Sequence, residues 1–257
     1  MKRYTLLLLT CFFIPQLMNA QLKPIRYNDG TTKLNGISVT PKNANSKNPG
    51  ILILPAWKGI DNNTKEAAEA LSKLGYHAFI ADIYGEGNYP KDATEAGAIA
   101  GKYKKDYKSY LNRIDLARKE LIKMGANADN LVVIGYCFGG TGAIEAARAN
   151  FPFKGIVSFH GGLGKEATRA IEMINPKVLI CHGADDPFVS EKEILAFQQE
   201  MRDNKADWQM IYYANAVHAF TEKEAGNDNS KGAAYNEVAA KRSWQHLLLF
   251  LNETMTK

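Results

Sequence analysis

The chain has 257 residues, of which 46% are hydrophobic and 23% charged, with a formal net charge of +5. These values are close to average globular usage, so they exclude fibrous and disordered classes of protein. The length accommodates one large α/β domain or two small ones. Lysine and arginine form no long run interleaved with aromatic residues, so we expect no nucleic-acid partner.

The N-terminus has the layout of a secretory signal peptide. Lys2 and Arg3 form a basic region, residues 4–18 are mostly apolar, and the small residue Ala20 ends the segment. The apolar stretch is short for a membrane-spanning helix. We therefore expect cleavage after residue 20 and an exported protein with no stable membrane span. Lipid attachment at Cys11 is a minor alternative, because many apolar residues follow that cysteine.

Short apolar runs bounded by turn residues predict strands that are buried on both faces, as in a parallel sheet. These runs are Ile51–Leu54, His77–Ala81, Leu131–Ile134, Gly155–Phe159, Lys177–Cys181 and Gln209–Tyr213. Between the runs, apolar residues recur at helical spacing. The predicted helices cover about 64–74, 107–124, a segment starting at 139–140, 191–202 and 235–251.

Alternation of strands and helices indicates a doubly wound, mostly parallel α/β sheet flanked by helices. No internal repeat, low-complexity segment or linker divides the chain. We therefore expect one domain over residues 21–257.

Residues 131–147, "LVVIGYCFGGTGAIEAA", combine a predicted strand, a glycine-rich turn and a predicted helix. Gly135, Cys137 and Gly139 fit the pattern Gly-x-nucleophile-x-Gly, in which a sharp turn exposes the central side chain. The N-terminus of the following helix favours a thiolate, and the N–H of Phe138 points to where an oxyanion forms. The alternative is a tight turn around a buried thiol, since free cysteine is often buried.

The mature chain retains two cysteines, Cys137 and Cys181, and export permits them to form a disulfide. Each follows a hydrophobic run, which suggests neighbouring strands of one sheet. Adjacent parallel strands rarely place two such side chains at bridging distance and orientation. We therefore expect both to be free thiols.

An acid and a histidine follow the cysteine in the chain order that a nucleophile elbow requires. Asp185 and Asp186 come after the run "KVLICHG", and His218 comes after "WQMIYYANA". Functional groups gather at the carboxyl ends of strands in such sheets. These positions therefore make Cys137, one of the two aspartates and His218 candidates for a catalytic triad.

The blocks "GYCFGG", "HGADDPFV" and "AVHAFT" resemble those of the dienelactone hydrolase family, which are α/β-hydrolases with a cysteine nucleophile. The likeness extends from "LPAWKGID" through "ADIYG" to the C-terminal segment. It implies that Cys137 is the nucleophile, Asp186 the acid and His218 the base. Asp185 is the weaker candidate for the acid. The resemblance also implies oxyanion-hole donors in the backbone N–H groups of Trp57 and Phe138.

The chain departs from the best-known family members at two positions. Ala56 stands where a glutamate contacts the resting cysteine, and Gly85 falls where an arginine grips a substrate carboxylate. The resemblance thus implies hydrolysis of a small-molecule ester or lactone through an acyl-cysteine, with the natural substrate and oligomeric state open. An inactive binding protein, a peptidase and an acyltransferase are the alternatives. No Cys-x-x-Cys supports a redox role, and we expect no cofactor or metal.

The other histidines are expected to have structural roles. His77 and His246 fall within predicted secondary structure, while His160 and His182 end strands and could line a pocket. The polar, glycine-containing segment 84–105 is a candidate pocket wall or lid because of its length.

Overall fold

The structure is a computed structural model and describes residues 21–43, 47–166, 169–170 and 172–255. The predicted signal peptide and Cys11 lie outside the described residues. The described part contains one sheet of eight strands. The strands are β1 Lys23–Asp29, β2 Thr32–Val39, β3 Gly50–Leu54, β4 His77–Ile80, β5 Leu131–Tyr136, β6 Gly155–Phe159, β7 Lys177–Gly183 and β8 Trp208–Tyr213.

Six α-helices connect or follow these strands in the part of the chain that the structure describes. They are α1 Asn62–Lys73, α2 Ala93–Lys105, α3 Tyr107–Lys123, α4 Phe138–Arg148, α5 Glu191–Asp203 and α6 Glu237–Thr254. Two short 3₁₀ turns, Lys223–Ala225 and Asn229–Lys231, lie between β8 and α6. None of the described helices combines the length and apolar character needed to cross a bilayer.

The sheet is doubly wound and mostly parallel, as the sequence predicted. Its strand order is β1-β2-β4-β3-β5-β6-β7-β8, and the pairings from β4 to β8 are all parallel. β1 and β2 form an antiparallel hairpin that pairs with β4 at one edge. This hairpin and helix α2 were not predicted from the sequence.

Alternate residues of the central strands face two separate hydrophobic layers. In β3, Leu52 and Leu54 pack with the layer that α3, α4 and α5 cover, while Ile51 and Ile53 pack with the layer under α1 and α6. All four side chains are fully buried. Successive side chains of a strand point to opposite faces of the sheet, and here both faces are apolar. The sequence of β3 is therefore a continuous hydrophobic run.

The C-terminal end of α4 is fixed by a buried ionic network. The guanidinium of Arg148 lies 2.7 Å from Glu145 and 2.8 Å from Glu200 of α5, and its side chain has no exposed surface. It also donates to the carbonyl oxygens of Leu163 and Gly164. The network joins α4 to α5 and to the loop after β6, so it anchors the helix that follows Cys137.

Candidate active site

Cys137 occupies a strained turn between β5 and α4. Its φ of 51° and ψ of −112° place it in the left-handed half of backbone space, where residues other than glycine are rare. A Cβ at Gly135 would lie 2.0 Å from the carbonyl oxygen of Gly139, and one at Gly139 would lie 2.1 Å from that of Leu54. The two glycines therefore permit the close backbone approach that the predicted elbow requires.

The structure brings the three predicted triad residues into contact. His218 Nε2 lies 3.0 Å from Cys137 Sγ, and His218 Nδ1 lies 2.8 Å from Asp186 Oδ2. The acid lies in the loop after β7 and the histidine in the loop after β8. The backbone of His218 is held by hydrogen bonds with Gly232 and Ala234. The arrangement can pass a proton between sulfur and imidazole while the carboxylate orients the ring.

The two adjacent aspartates have different environments. Asp186 is buried, and its second oxygen accepts a hydrogen bond of 2.9 Å from the N–H of Phe188. Asp185 is exposed and contacts Ala216 through its backbone N–H. Only Asp186 therefore has the geometry of the orienting acid.

The ionic contacts of His218 favour its protonated form. Burial lowers its pKa, but the hydrogen bonds and charges of Asp186 and Cys137 outweigh this effect and raise the pKa to about 10. An imidazolium at neutral pH stabilises a negative sulfur beside it. The protonated ring therefore places a positive charge next to the sulfur of Cys137.

Two backbone N–H groups near Cys137 are the candidate oxyanion donors. Phe138 is the first residue of α4, and N–H groups of a first helical turn have no acceptor within the helix. Trp57 lies in the turn after β3, lines the same pocket as Cys137, and accepts a hydrogen bond of 2.8 Å at its carbonyl from the hydroxyl of Tyr84. This bond fixes the peptide turn that carries the Trp57 N–H.

Sequence reasoning missed the residues that position Trp57. Asp82, the second residue after β4, is buried and accepts hydrogen bonds from the backbone N–H groups of Asn35, Tyr84 and Gly85. It therefore shapes the turn from which the Tyr84 hydroxyl reaches the carbonyl of Trp57. Their position at the carboxyl end of a strand, inside the quoted block "ADIYG", is the signal that could have identified them.

A cavity of about 590 Å³ opens in front of Cys137 and His218, and we call it the substrate pocket. Its walls combine apolar and charged side chains from the loop after β3, the start of α1, the end of α2 and the loops after β7 and β8. They include Ala56, Trp57, Lys58, Asp61, Asn63, Glu66, Lys104, Phe188, Val189, Glu222, Lys223 and Glu224. Its size suits a small organic molecule.

The two positions that depart from the family pattern have different surroundings. Ala56 is buried and lines the substrate pocket. Gly85 has a φ of 102° and packs against β2, where a Cβ would lie 3.0 Å from Thr32 Cγ2, and it is not among the pocket-lining residues. The segment 84–105, the candidate pocket wall or lid, contains α2 over Ala93–Lys105, and Lys104 of this helix lines the pocket.

The remaining cysteine and histidines of the described residues lie outside the candidate triad. Cys137 and Cys181 are both free thiols in the described structure. Cys181 is fully buried, and burial raises its pKa to about 12. β6 separates the two cysteine strands, which the sequence had suggested were neighbours. His160 is fully buried, with its ring centroid 5.3 Å from that of His218, and His182 packs edge-on against Tyr212. In the described residues, His, Cys, Asp and Glu side chains form no cluster of three arranged for a metal ion.

A doubly wound sheet with an elbow cysteine, followed by an acid and a histidine in the loops of the next strands, defines an α/β-hydrolase. A protein-family model described as "Dienelactone hydrolase family" matches residues 34–255. The chain belongs to this family, which confirms the resemblance, and it is a hydrolase of the ester and lactone class.

Known relatives agree with this assignment over most of the chain. The solved structure of m3DLH has 33% sequence identity and a TM-score of 0.87, and the match covers 92% of this chain and 99% of that one. The dienelactone hydrolase-like promiscuous phosphotriesterase P91 from metagenomic libraries has the same identity and coverage with a TM-score of 0.85. A Bradyrhizobium protein named "Probable 2-oxo-3-(5-oxofuran-2-ylidene)propanoate lactonase" is 27% identical, over 79% of this chain and 83% of its own.

Proposed function

We propose that the protein hydrolyses a small-molecule carboxylic ester or lactone through an acyl-cysteine intermediate. The contact chain from Asp186 through His218 to Cys137 carries this proposal. It provides a nucleophile, a base and an orienting acid at the mouth of a pocket of suitable size. The lactonase name of the Bradyrhizobium relative supports a lactone or ester substrate over a peptide.

Acylation begins when the sulfur of Cys137 attacks the carbonyl carbon, with its proton held on His218. The resulting oxyanion accepts hydrogen bonds from the N–H groups of Trp57 and Phe138. When the carbon–oxygen bond to the leaving group breaks, His218 donates the proton to the departing alkoxide. A thioester on Cys137 remains, and Asp186 stabilises the imidazolium throughout this step.

Deacylation repeats the same proton transfers with water. His218 takes a proton from water as the oxygen attacks the thioester carbon, and the second oxyanion occupies the same pair of N–H groups. The carbon–sulfur bond then breaks, the acid leaves, and Cys137 and His218 return to their resting state. Each oxyanion donor is expected to contribute on the order of 10² to 10³ in rate.

The test compares two cysteine variants of the folded protein. Cys137→Ala is expected to lower kcat/KM for an activated ester such as 4-nitrophenyl butyrate by on the order of 10⁴ or more. Cys181→Ala is the matched control. Cys181 is fully buried in the hydrophobic layer under α1 and α6, and it is not among the pocket-lining residues. Mass spectrometry of the wild type during turnover should show an acyl adduct on Cys137. Full activity of Cys137→Ala would contradict the proposal.

We further propose that the protein is exported. Lys2, Arg3, the apolar residues 4–18 and Ala20 support this proposal. Mass analysis of the protein recovered outside the cytoplasm should give a chain that starts at residue 21. A cytoplasmic chain that keeps residues 1–20 would contradict export. A lipid-modified Cys11 would show that the exported protein is lipid-anchored and is not cleaved after residue 20.

A further inference from the structure

His160, the residue after β6, has a backbone conformation that is rare for a residue with a side chain. Its φ is 41°, in the left-handed region, while its N–H donates to the carbonyl of Cys181 at 2.8 Å and continues the pairing of β6 with β7. Glycine adopts this conformation without strain, whereas a Cβ makes it unfavourable. A fully buried histidine at this position indicates that its side chain has a role of its own.

The left-handed turn changes the face of the sheet on which the His160 side chain lies. Successive side chains of a strand alternate between the two faces. Ser158 faces α4, because a Cβ on Gly140 would lie 2.6 Å from its hydroxyl oxygen, so a regular strand would place residue 160 on that face too. The ring centroid of His160 lies instead 5.1 Å from that of Phe220, in the layer under α1 and α6. The strained backbone therefore brings the imidazole to the layer that contains Phe220, two residues after His218.

The ring of His160 contacts the loop of His218 at two points. Its Nε2 lies 2.7 Å from the hydroxyl oxygen of Thr221, three residues after His218. Its centroid lies 5.3 Å from that of the His218 ring, and the two ring planes meet at 65°, in an edge-to-face arrangement. One buried ring thus contacts both the imidazole of His218 and the chain segment that carries it.

The ring of His218 must keep both of its nitrogens aligned at once, Nε2 toward Cys137 and Nδ1 toward Asp186. Phe188 also meets this ring edge-on, with the centroids 5.4 Å apart, but Phe188 is 61% exposed. His160 is fully buried within the close-packed interior. Of these two ring contacts, that of His160 is therefore the firmer support for His218.

The charge state of His160 suits a neighbour of an imidazolium. Burial and the charge of His218 lower the pKa of His160 well below 6.5. The ring of His160 is therefore neutral at the pH values at which His218 is protonated. The contact between the two rings then brings no second positive charge next to His218.

We propose that His160 is a positioning residue, which keeps Nε2 of His218 aligned with the sulfur of Cys137 through its ring and through Thr221. This inference rests on the proposed function, because the alignment affects the rate only if the sulfur and the imidazole exchange a proton. Displacement of a reacting group by about 1 Å lowers a rate by on the order of 100-fold. Loss of one support among several is expected to lower kcat by on the order of 10-fold. Neither His160 nor Thr221 is among the pocket-lining residues, so KM should change by less than about twofold.

Two substitutions remove the hydrogen bond from its two sides. Thr221→Val replaces the hydroxyl by a methyl group, and His160→Phe keeps an aromatic ring that cannot bond to the hydroxyl. Hydrolysis of 4-nitrophenyl butyrate should show a kcat about 10-fold lower for each variant, with KM nearly unchanged. The double variant should be no slower than the slower single variant, because both changes remove the same bond. His160→Gln can still bond to Thr221 and should recover part of the rate.

Alkylation of Cys137 by iodoacetamide separates positioning from a general effect on the fold. The reagent attacks thiolates, and the folded protein shields the fully buried Cys181. An imidazolium that is held less well beside the sulfur stabilises the thiolate less. The pH profile of alkylation should therefore shift to higher pH in Thr221→Val and His160→Phe. Mass spectrometry of the peptide that contains Cys137 measures the adduct.

His77→Phe is the matched control for the loss of a buried histidine. His77 is buried at the start of β4 and is not among the pocket-lining residues. This variant should keep both the kcat and the alkylation profile of the wild type. Equal effects of His77→Phe and His160→Phe would assign the loss to packing and overturn the positioning role.

The outcomes separate this inference from the proposed function. A wild-type kcat and an unshifted alkylation profile in Thr221→Val overturn the positioning role, even if His160→Phe fails to fold. A lower Tm with unchanged kcat, or effects that multiply in the double variant, also overturns it. In each of these cases, dependence of ester hydrolysis on Cys137 still supports the proposed function. Activity that persists in Cys137→Ala contradicts the proposed function whatever the effect of changing His160.

Discussion

Asp186 Oδ2 lies 2.8 Å from His218 Nδ1, although these residues are carried by different loops at the carboxyl edge of the sheet. The carboxylate side chain is fully buried and the imidazole is 15% exposed, so water competes little for this contact. The second carboxylate oxygen is fixed by the N–H of Phe188. The acid is therefore held in one orientation toward the histidine.

Substitution of the acid tests this orientation. Asp186→Asn keeps the side-chain volume but removes the charge and favours the wrong tautomer of His218, so kcat is expected to fall by on the order of 10³ to 10⁴. Asp185→Asn changes an exposed neighbour and should leave kcat unchanged. The measurement is steady-state kinetics on one activated ester. Equal effects of the two variants would contradict the assignment of the acid.

The stability of the protein should depend on pH through His218. Its pKa is raised from 6.5 to about 10, so the imidazolium contributes stability that is fully present below pH 6.5 and is lost as pH rises through about 10. The difference in Tm between the wild type and His218→Gln should therefore shrink over that range. NMR titration should also show a lower pKa for His218 in Cys137→Ala, because one raising contact is removed. An unchanged pKa would contradict this coupling.

Glu222 should give a pH dependence at lower pH. Its pKa is raised from 4.5 to about 7, so the folded state holds its proton more tightly and stability falls as pH rises between these values. Glu222→Gln cannot ionise and avoids this loss. Its free energy of unfolding relative to wild type should increase by roughly 1 to 3 kcal/mol from pH 4.5 to 7 and then level off. A flat difference in urea denaturation would contradict the burial of this carboxyl.

Two glycine-to-alanine substitutions should have opposite effects. A Cβ at Gly135 would lie 2.0 Å from the carbonyl oxygen of Gly139, so Gly135→Ala is expected to displace the elbow and abolish activity or folding. Gly101 lies within α2, and a Cβ there meets no atom within 4 Å. Gly101→Ala should stabilise the protein by about 0.5 to 1 kcal/mol through helix propensity. Thermal unfolding and ester hydrolysis of both variants provide the measurement.

The buried network at the end of α4 should contribute strongly to stability. Arg148→Met leaves Glu200 buried without its cation and leaves Glu145 paired with Arg169 alone. We expect a loss of about 3 to 5 kcal/mol in the free energy of unfolding. Lys119→Met is the control, since it removes an exposed partner of Asp115 and should cost less than about 0.5 kcal/mol. The free energies of unfolding of the two variants are compared in urea. Similar losses for the two variants would show that burial of the Arg148 guanidinium does not account for its contribution to stability.

The strands and helices that form the centre of the fold could be predicted because burial on both faces gives continuous apolar runs. β1 and β2 escaped prediction because they lie at the edge, where residues such as Lys23, Arg26 and Lys33 face solvent. Helix α2 was not predicted because it contains Gly97 and Gly101 and buries few of its residues. Weak amphipathicity and glycine both remove the signals on which helix prediction depends.

The positions of the candidate triad followed from motif order, but the shape of the pocket did not. Glu222 and Asn63 are ordinary polar residues in the sequence, and only the packing of the loop after β8 against α1 makes them pocket-lining residues. Tyr84 likewise acquires its role through a contact with Trp57, 27 residues away in the chain. The partners in these contacts depend on the tertiary fold, whereas the local pattern marks only the position of Tyr84 after a strand.

The three candidate triad residues follow strands that differ in how strongly they are paired within the sheet. Cys137 follows a central strand, whereas His218 follows β8, which pairs only with β7 at the sheet's edge and is partly exposed. Edge elements open locally at a lower free energy than the whole domain unfolds. We expect separation of β8 to move the histidine away from the sulfur while β3, β5 and β6 remain paired. Heat inactivation should therefore begin as a reversible local event, below the temperature at which the core melts.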